Sequence, residues 1–211
     1  SDQNPTLSRE QIERVYELYK DGQFKEAISQ IKALNEIYPN IPFLFNLIGA
    51  CYKSLGQLDR AVKMFQIAVS IKHDYVEAHK NLGTTLKELG RLDESVESFM
   101  NAIEIDPSYV DAHYNLGNTF KQLNRFNESV KSYKTAIAID PNFTQAYNNL
   151  GNVQKDLNQL DDALNSYERA IAIDPDFSLP HNNIGFIFMG LGKMNAAIKC
   201  FEKAISIDSE Y

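Results

Sequence analysis

The chain has 211 residues, of which 44% are hydrophobic and 23% charged, with a formal net charge of −7 and two cysteines, Cys51 and Cys200. That balance lacks the clustered positive charge that neutralises phosphates, so nucleic acid is not an expected partner. No apolar run is long enough to cross a bilayer, no secretory leader opens the chain, and two distant cysteines make no disulfide framework; a cytoplasmic protein without a membrane partner is expected.

A step of 34 residues organises the sequence. Gly49, Gly83, Gly117, Gly151 and Gly185 keep it, as do Ala68, Ala102, Ala136, Ala170 and Ala204, and Pro107, Pro141 and Pro175. After a leader over residues 1–7, the spacing predicts one array of six repeats at 8–41, 42–75, 76–109, 110–143, 144–177 and 178–211. The opening SDQNP lacks a methionine and reads as a processed or excised start. Asn127 and Asn142 begin glycosylation sequons, which without a secretion signal read as accidents of an Asn-rich composition.

In chain order, the first repeat is the weakest. Val15, Ala27, Leu34 and Pro39 hold the pattern, Gln11 and Arg14 occupy two core positions, and Ile12, Tyr16 and Tyr19 make its inner side aromatic. The second carries Phe45 and Leu47, the third and fourth His79 and His113, and the fifth Tyr147. In the sixth, His181, Ile184, Gly185 and Phe188 recur at the spacing of one helix face. A turn follows at Gly192, and Ala197, Phe201, Ala204 and Ile205 mark a second helix. Every repeat therefore reads as two helices. Gly22, Gly56, Gly90, Asn124, Asn158 and Gly192, at the fifteenth position, tolerate left-handed backbone between them. The prolines end the second helix. Glycine at the eighth position and Ala or Ser at the twentieth let the two backbones approach, and Phe65, Phe99, Tyr133, Tyr167 and Phe201 fill the space beside them. The last repeat stays apolar through Phe201, Ile205 and Ile207, with Leu179, Phe186 and Met189 on its groove side. A longer parent protein, or self-association through this C-terminal repeat, is the expectation.

These residues resemble the tetratricopeptide repeat over 8–211. The resemblance implies an all-α fold, a right-handed solenoid of six helix–turn–helix repeats whose first helices line a concave wall.

On a helical wheel of about 100° per residue, the fourth, seventh, eighth and eleventh positions cluster, and the second, sixth, ninth and thirteenth lie nearly opposite. The sixth position carries Leu47, then Asn81, Asn115, Asn149 and Asn183. A relic of duplication is one explanation, yet the fifth position beside it has scattered to Asn46, Lys80, Tyr114, Asn148 and Asn182. A primary amide offers a donor and an acceptor, which suits the C=O and N–H of an extended peptide. Helices pack about 8–10 Å apart, and a peptide advances roughly 3.3 Å per residue. One amide per repeat then meets about three peptide residues. Asn118 and Asn152, at the ninth position, can assist. Lys53, Lys87, Lys121 and Lys155 at the twelfth position, with Lys80 on the same flank, are either solvated surface cations or a rail that favours acidic peptides.

The pattern AH-x-NLG-N followed by Lys resembles the repeats that precede the catalytic part of protein O-linked N-acetylglucosamine transferases, on Asn81, Asn115, Asn149 and Asn183. That resemblance implies an asparagine ladder holding protein substrates, from which Glu13 and Leu47 depart. The carboxylate-clamp pattern of chaperone-binding tetratricopeptide proteins fits only at Lys80 and Asn115, with Thr84, Gln145 and Asn149 in place of its other residues. His79, His113 and His181 fall in separate repeats and are read as packing residues, because zinc ligands must converge within about 2.1 Å of one centre. No catalytic constellation, metal site or cofactor motif is found, so a non-enzyme is expected. The leading expectation is a scaffold that binds an extended protein or peptide. The alternatives are the substrate-recruiting arm of a larger transferase and a module that assembles end to end.

Overall fold

The computed structural model describes residues 6–208; residues 1–5 of the leader and 209–211 of the last repeat lie outside the described residues. Twelve α-helices and no strand occur among the described residues. They are α1 (Arg9–Lys20), α2 (Phe24–Ile37), α3 (Pro42–Ser54), α4 (Leu58–Ile71), α5 (Val76–Glu88) and α6 (Leu92–Ile105). The series continues with α7 (Val110–Gln122), α8 (Phe126–Ile139), α9 (Thr144–Asp156), α10 (Leu160–Ile173), α11 (Ser178–Gly190) and α12 (Met194–Ile207). Contacts divide the chain into an N-terminal unit through Ala112 and a C-terminal unit from His113.

Local chemistry sets the helix ends. Ser8 and Gln11 close a reciprocal capping box at the start of α1, and Pro42 opens α3 where its missing N–H is no loss. Between the helices of a pair the chain turns through left-handed backbone, with φ of 73° at Gly22, 72° at Gly56, 56° at Asn124 and 58° at Asn158. The carbonyls left open at the helix end are taken up in the turn. Gly56 N–H reaches the Lys53 carbonyl at 2.9 Å and Gln57 N–H the Tyr52 carbonyl at 2.9 Å, which is a Schellman arrangement. After the second helices, Asp106, Asp140 and Asp174 each accept the backbone N–H two residues on, at 2.9–3.1 Å. These aspartates make Asx turns beside the prolines.

Within the N-terminal unit, α1, α3 and α5 lie side by side, and α2 and α4 pack between successive first helices. One core runs through them, from Val15, Ala27 and Ile31 to Leu44, Ile48, Phe65 and Leu86. In the C-terminal unit, α9 and α11 are neighbours, and the core gathers on Tyr133, Leu150 and Val153 and again on Tyr167, Ile184 and Ile187. The eighth-position glycines decide the helix crossing. A Cβ on Gly49 would stand 2.6 Å from Phe65, and one on Gly151 2.6 Å from Tyr167. Ser95 and Ser129, at the twentieth position, donate their hydroxyls to the carbonyls of Gly83 and Gly117 at 2.7 and 2.8 Å. The buried face is also wider than the wheel predicts, because the third and tenth positions are buried too, as at Ala78, Thr85, Ala146 and Val153.

Candidate functional site

In the N-terminal unit, the side of α3 and α5 away from the core holds a trough of about 690 Å³. Asn81 on α5 is half-buried and donates its Nδ2 to Oδ1 of buried Asn46 on α3, at 3.1 Å. The Tyr75 hydroxyl is raised above its ordinary range by burial and then by the Glu77 carboxylate, with Asn46 opposing. Leu47 lines the same trough where the next repeat has its amide.

The lysines here have local carboxylate partners. Lys53 Nζ lies 2.9 Å from Glu88, and Lys80 Nζ lies 2.6 Å from Glu77. Glu77 additionally accepts the Tyr109 hydroxyl at 2.6 Å. Burial works against the Glu77 anion, but the Lys80 and Tyr109 bonds outweigh it and hold its carboxyl below the usual range. Lys87 is pulled down by burial and by repulsion from Lys53, with Glu88 opposing. Lys53 and Lys80 of this unit thus sit in ion pairs.

The C-terminal unit ties its amides together more tightly. Asn149 on α9 donates both Nδ2 hydrogens, to the Tyr114 hydroxyl and to Asn118 Oδ1, each at 3.0 Å. Its own Oδ1 accepts from Asn148 at 3.3 Å. Asn183 on α11 donates to Oδ1 of buried Asn148 at 3.0 Å. Asn118 and Asn152 accept the hydroxyls of Tyr133 and Tyr167, at 2.7 and 2.8 Å. Those two tyrosines are fully buried, and burial drives their hydroxyls well above the ordinary range. A buried hydroxyl without a partner costs about 1–3 kcal/mol, so the ninth-position carbonyls have an architectural duty that the sequence reading did not assign them. Asn115 is half-buried on α7, and its backbone carbonyl accepts from Thr119 Oγ1 at 2.8 Å. Lys121 and Lys155 are half-buried and make no ion pair among the described residues.

A common diagonal relates several of the lateral bonds. Asn46–Asn81, Tyr114–Asn149 and Asn148–Asn183 are each 35 residues apart, one more than the period, and Lys53–Glu88 repeats the offset. The scattered fifth position is thus the partner of the next repeat's sixth.

The histidines pack as residues of the wall. His79 and His113 are buried, and a His79 ring nitrogen meets the His73 carbonyl at 2.9 Å. Burial first, then Lys203, lowers the His181 pKa against a backbone hydrogen bond at Pro175. No group of three or more metal-ligating side chains occurs among the described residues. No helix there is long and apolar enough to cross a membrane.

Known proteins share this organisation. Family models for the TPR repeat match residues 83–124 and 117–158, and models for the tetratricopeptide repeat match 44–75, 144–177 and 179–211. Over 54 residues the chain is 35% identical to anaphase-promoting complex subunit 3 of Dictyostelium discoideum. That stretch is 26% of this chain and 6% of that protein, so the chain spans a small part of this relative's length. A crystal structure of MamA superposes with a TM-score of 0.72 at 26% identity, covering 77% of this chain and 95% of that one. MamA from Desulfovibrio magneticus RS-1 gives 0.73 at 16% identity, over 79% and 94%. YrrB, described as a TPR protein with an unusual peptide-binding site, gives 0.70 at 19% identity over 86% and 93%, a likeness of fold. The glycine-to-ring crossings, the left-handed turns and repeat matches over most of the length agree: the chain belongs to the tetratricopeptide repeat family.

Proposed function

We propose that this chain is a scaffold that grips extended polypeptide by its main chain, with the amide of Asn81 as the principal contact in the N-terminal unit and that of Asn183 in the C-terminal unit. One observation carries the reading. Each of these side chains is half-buried and gives one Nδ2 hydrogen to a neighbouring Asn, and no hydrogen bond to its Oδ1 occurs among the described residues. The lateral bond fixes the amide plane in advance, so little side-chain freedom is lost when a ligand arrives. An acceptor and a second N–H then stand ready for a peptide N–H and C=O. Asn149 is the weaker contact, because both its donor hydrogens are engaged. Asn118 and Asn152 offer their NH₂ groups while their carbonyls hold the tyrosines, and Asn115 contributes from the same face of α7. Selection of acidic peptides falls to Lys121 and Lys155, with Lys87 crowded by Lys53 and with Lys53 and Lys80 largely neutralised by their carboxylates.

The test is binding of a degenerate library of 12-residue peptides by the Asn81→Ala/Asn183→Ala double variant. Each amide gives up to two net hydrogen bonds of about 0.5–1.5 kcal/mol, so the affinity falls by at least about tenfold, while helicity is retained and melting drops modestly because Asn46 and Asn148 lose their donors. Unaltered affinity would remove the reading.

A second reading, self-association through the C-terminal repeat, is favoured by the outer face of α12. Ile198 and Ile205 are 47% and 49% exposed, whereas Val62, equivalent to Ile198, is 2% exposed on α4, which packs against the following helix α5. Sedimentation across a concentration series checks it: association abolished by Ile198→Asp supports assembly, and a concentration-independent monomer rejects it.

A further inference from the structure

We infer that the trough of the N-terminal unit is a side-chain pocket, which receives one bulky uncharged residue, above all an aromatic one, from the bound peptide. The inference rests on the main-chain grip proposed above and adds a sequence preference to it.

The lining is of mixed character: it includes the amides of Asn46 and Asn81 and the largely apolar side chains of Tyr16, Tyr19, Phe43, Leu47 and Ala50. Leu47 stands where the ladder would place an amide, and a leucine side chain can neither give nor accept a hydrogen bond. At that point the wall has no amide for a peptide main chain, and the apolar surface beside it comes from exposed Tyr16 and half-buried Tyr19, Phe43 and Ala50, with Leu47 buried beneath. Ala50 occupies the ninth position, where the C-terminal unit has Asn118 and Asn152. The shorter residue is half-buried in the lining, with the fully buried Phe65 behind it. Tyr16 is 43% exposed and stacks on Tyr19, with centroids 6.4 Å apart and rings inclined by 25°. The Lys20 ammonium sits 4.6 Å from the Tyr16 centroid. A ring steadied in this way while still exposed is a contact surface for a second ring, and aromatic side chains bury about 150–250 Å² each in such settings.

Charge complementarity decides what kind of residue enters. The trough's two lysines, Lys53 and Lys80, are each closed by a carboxylate, Glu88 and Glu77, that lines the trough as well. A charged peptide side chain would have to break one of these pairs, whereas an uncharged ring leaves both intact. The volume, about 690 Å³, is in the range of about 300–1,000 Å³ usual for pre-formed sites and has room for a ring with its flanking backbone.

The experiment uses the whole chain and three fluorescent 12-residue Ser/Gly peptides, identical except for Phe, Ser or Glu at the centre, read by anisotropy. The Phe peptide binds at least tenfold more tightly than the Ser peptide. Ala50→Asn, which adds bulk to the lining, and Tyr16→Ser, a change on an exposed ring, each reduce that ratio below threefold while affinity for the Ser peptide is unchanged. Melting curves establish that both variants are folded. Equal binding of the Phe and Ser peptides, with the Ser peptide still weakened by Asn81→Ala/Asn183→Ala, overturns the pocket and leaves the main-chain grip standing. Preference for the Glu peptide overturns the pocket in favour of lysine-led selection. Failure of all three peptides to bind overturns both.

Discussion

In the N-terminal unit, the rings beside the helical glycines are Phe65 and Phe99, whereas in the C-terminal unit the corresponding rings beside Gly117 and Gly151 are Tyr133 and Tyr167. The ninth position changes with them. It is Ala50 and Thr84 beside phenylalanine, and Asn118 and Asn152 beside tyrosine. The same backbone geometry thus supports a wall with an apolar recess at one place and a polar web at another. A fully buried hydroxyl must have a partner, so one oxygen added to the ring commits an amide on the facing helix. Asparagines on a wall of this kind are consequently of two sorts. Some hold the architecture, and others are held by it.

Truncating the rings produces the largest effect. Tyr167→Ala and Phe99→Ala each lose about 3–5 kcal/mol of stability in urea unfolding, because both empty a filled crossing whatever the ring's polarity. Removing the partner separates the two units. Asn118→Ala leaves the Tyr133 hydroxyl without its acceptor and costs about 2 kcal/mol, while Asn118→Ala combined with Tyr133→Phe recovers most of it. Simple additivity in that double-mutant cycle would show that the bond does not couple the two positions.

Acidification probes the N-terminal unit through Glu77. Its folded pKa is depressed, so its contribution is present above the ordinary carboxylate value of about 4.3 and is lost as pH falls through the folded value. Glu77→Gln therefore flattens the acid limb of a stability–pH curve and weakens the protein at neutral pH. The smallest difference is chemical. Burial pushes the Cys51 thiol up to about 11, whereas Cys200 is only half-buried with a thiol raised by the same cause. Iodoacetamide at pH 8 should label Cys200 first and Cys51 only on unfolding.

Much of the fold was legible in the sequence because its determinants are local and steric. Glycine at a crossing, a left-handed residue at a turn and proline after a helix act within a few residues of themselves. The amides were harder to read. A wheel drawn for one helix faces Asn81 and Asn149 away from that helix's core, but it cannot see the next helix, so the 35-residue diagonal to Asn46 and Tyr114 stayed hidden. Lys53 and Glu88 were legible as potential partners, yet only the diagonal fixes which carboxylate meets which lysine. For Asn118 and Asn152 the signal was present: asparagine stands at the ninth position where tyrosine, rather than phenylalanine, fills the crossing. Treating the two rings as equal fillers of space discarded it.

The one-residue mismatch between period and diagonal has a consequence for how such chains can be rearranged. A graft that lifts out residues 144–177 alone cuts an amide bond at both of its seams, Tyr114–Asn149 and Asn148–Asn183, whereas a graft of residues 144–211 carries the second of them intact. Exchange between related chains is therefore better tolerated in overlapping pairs than in single modules.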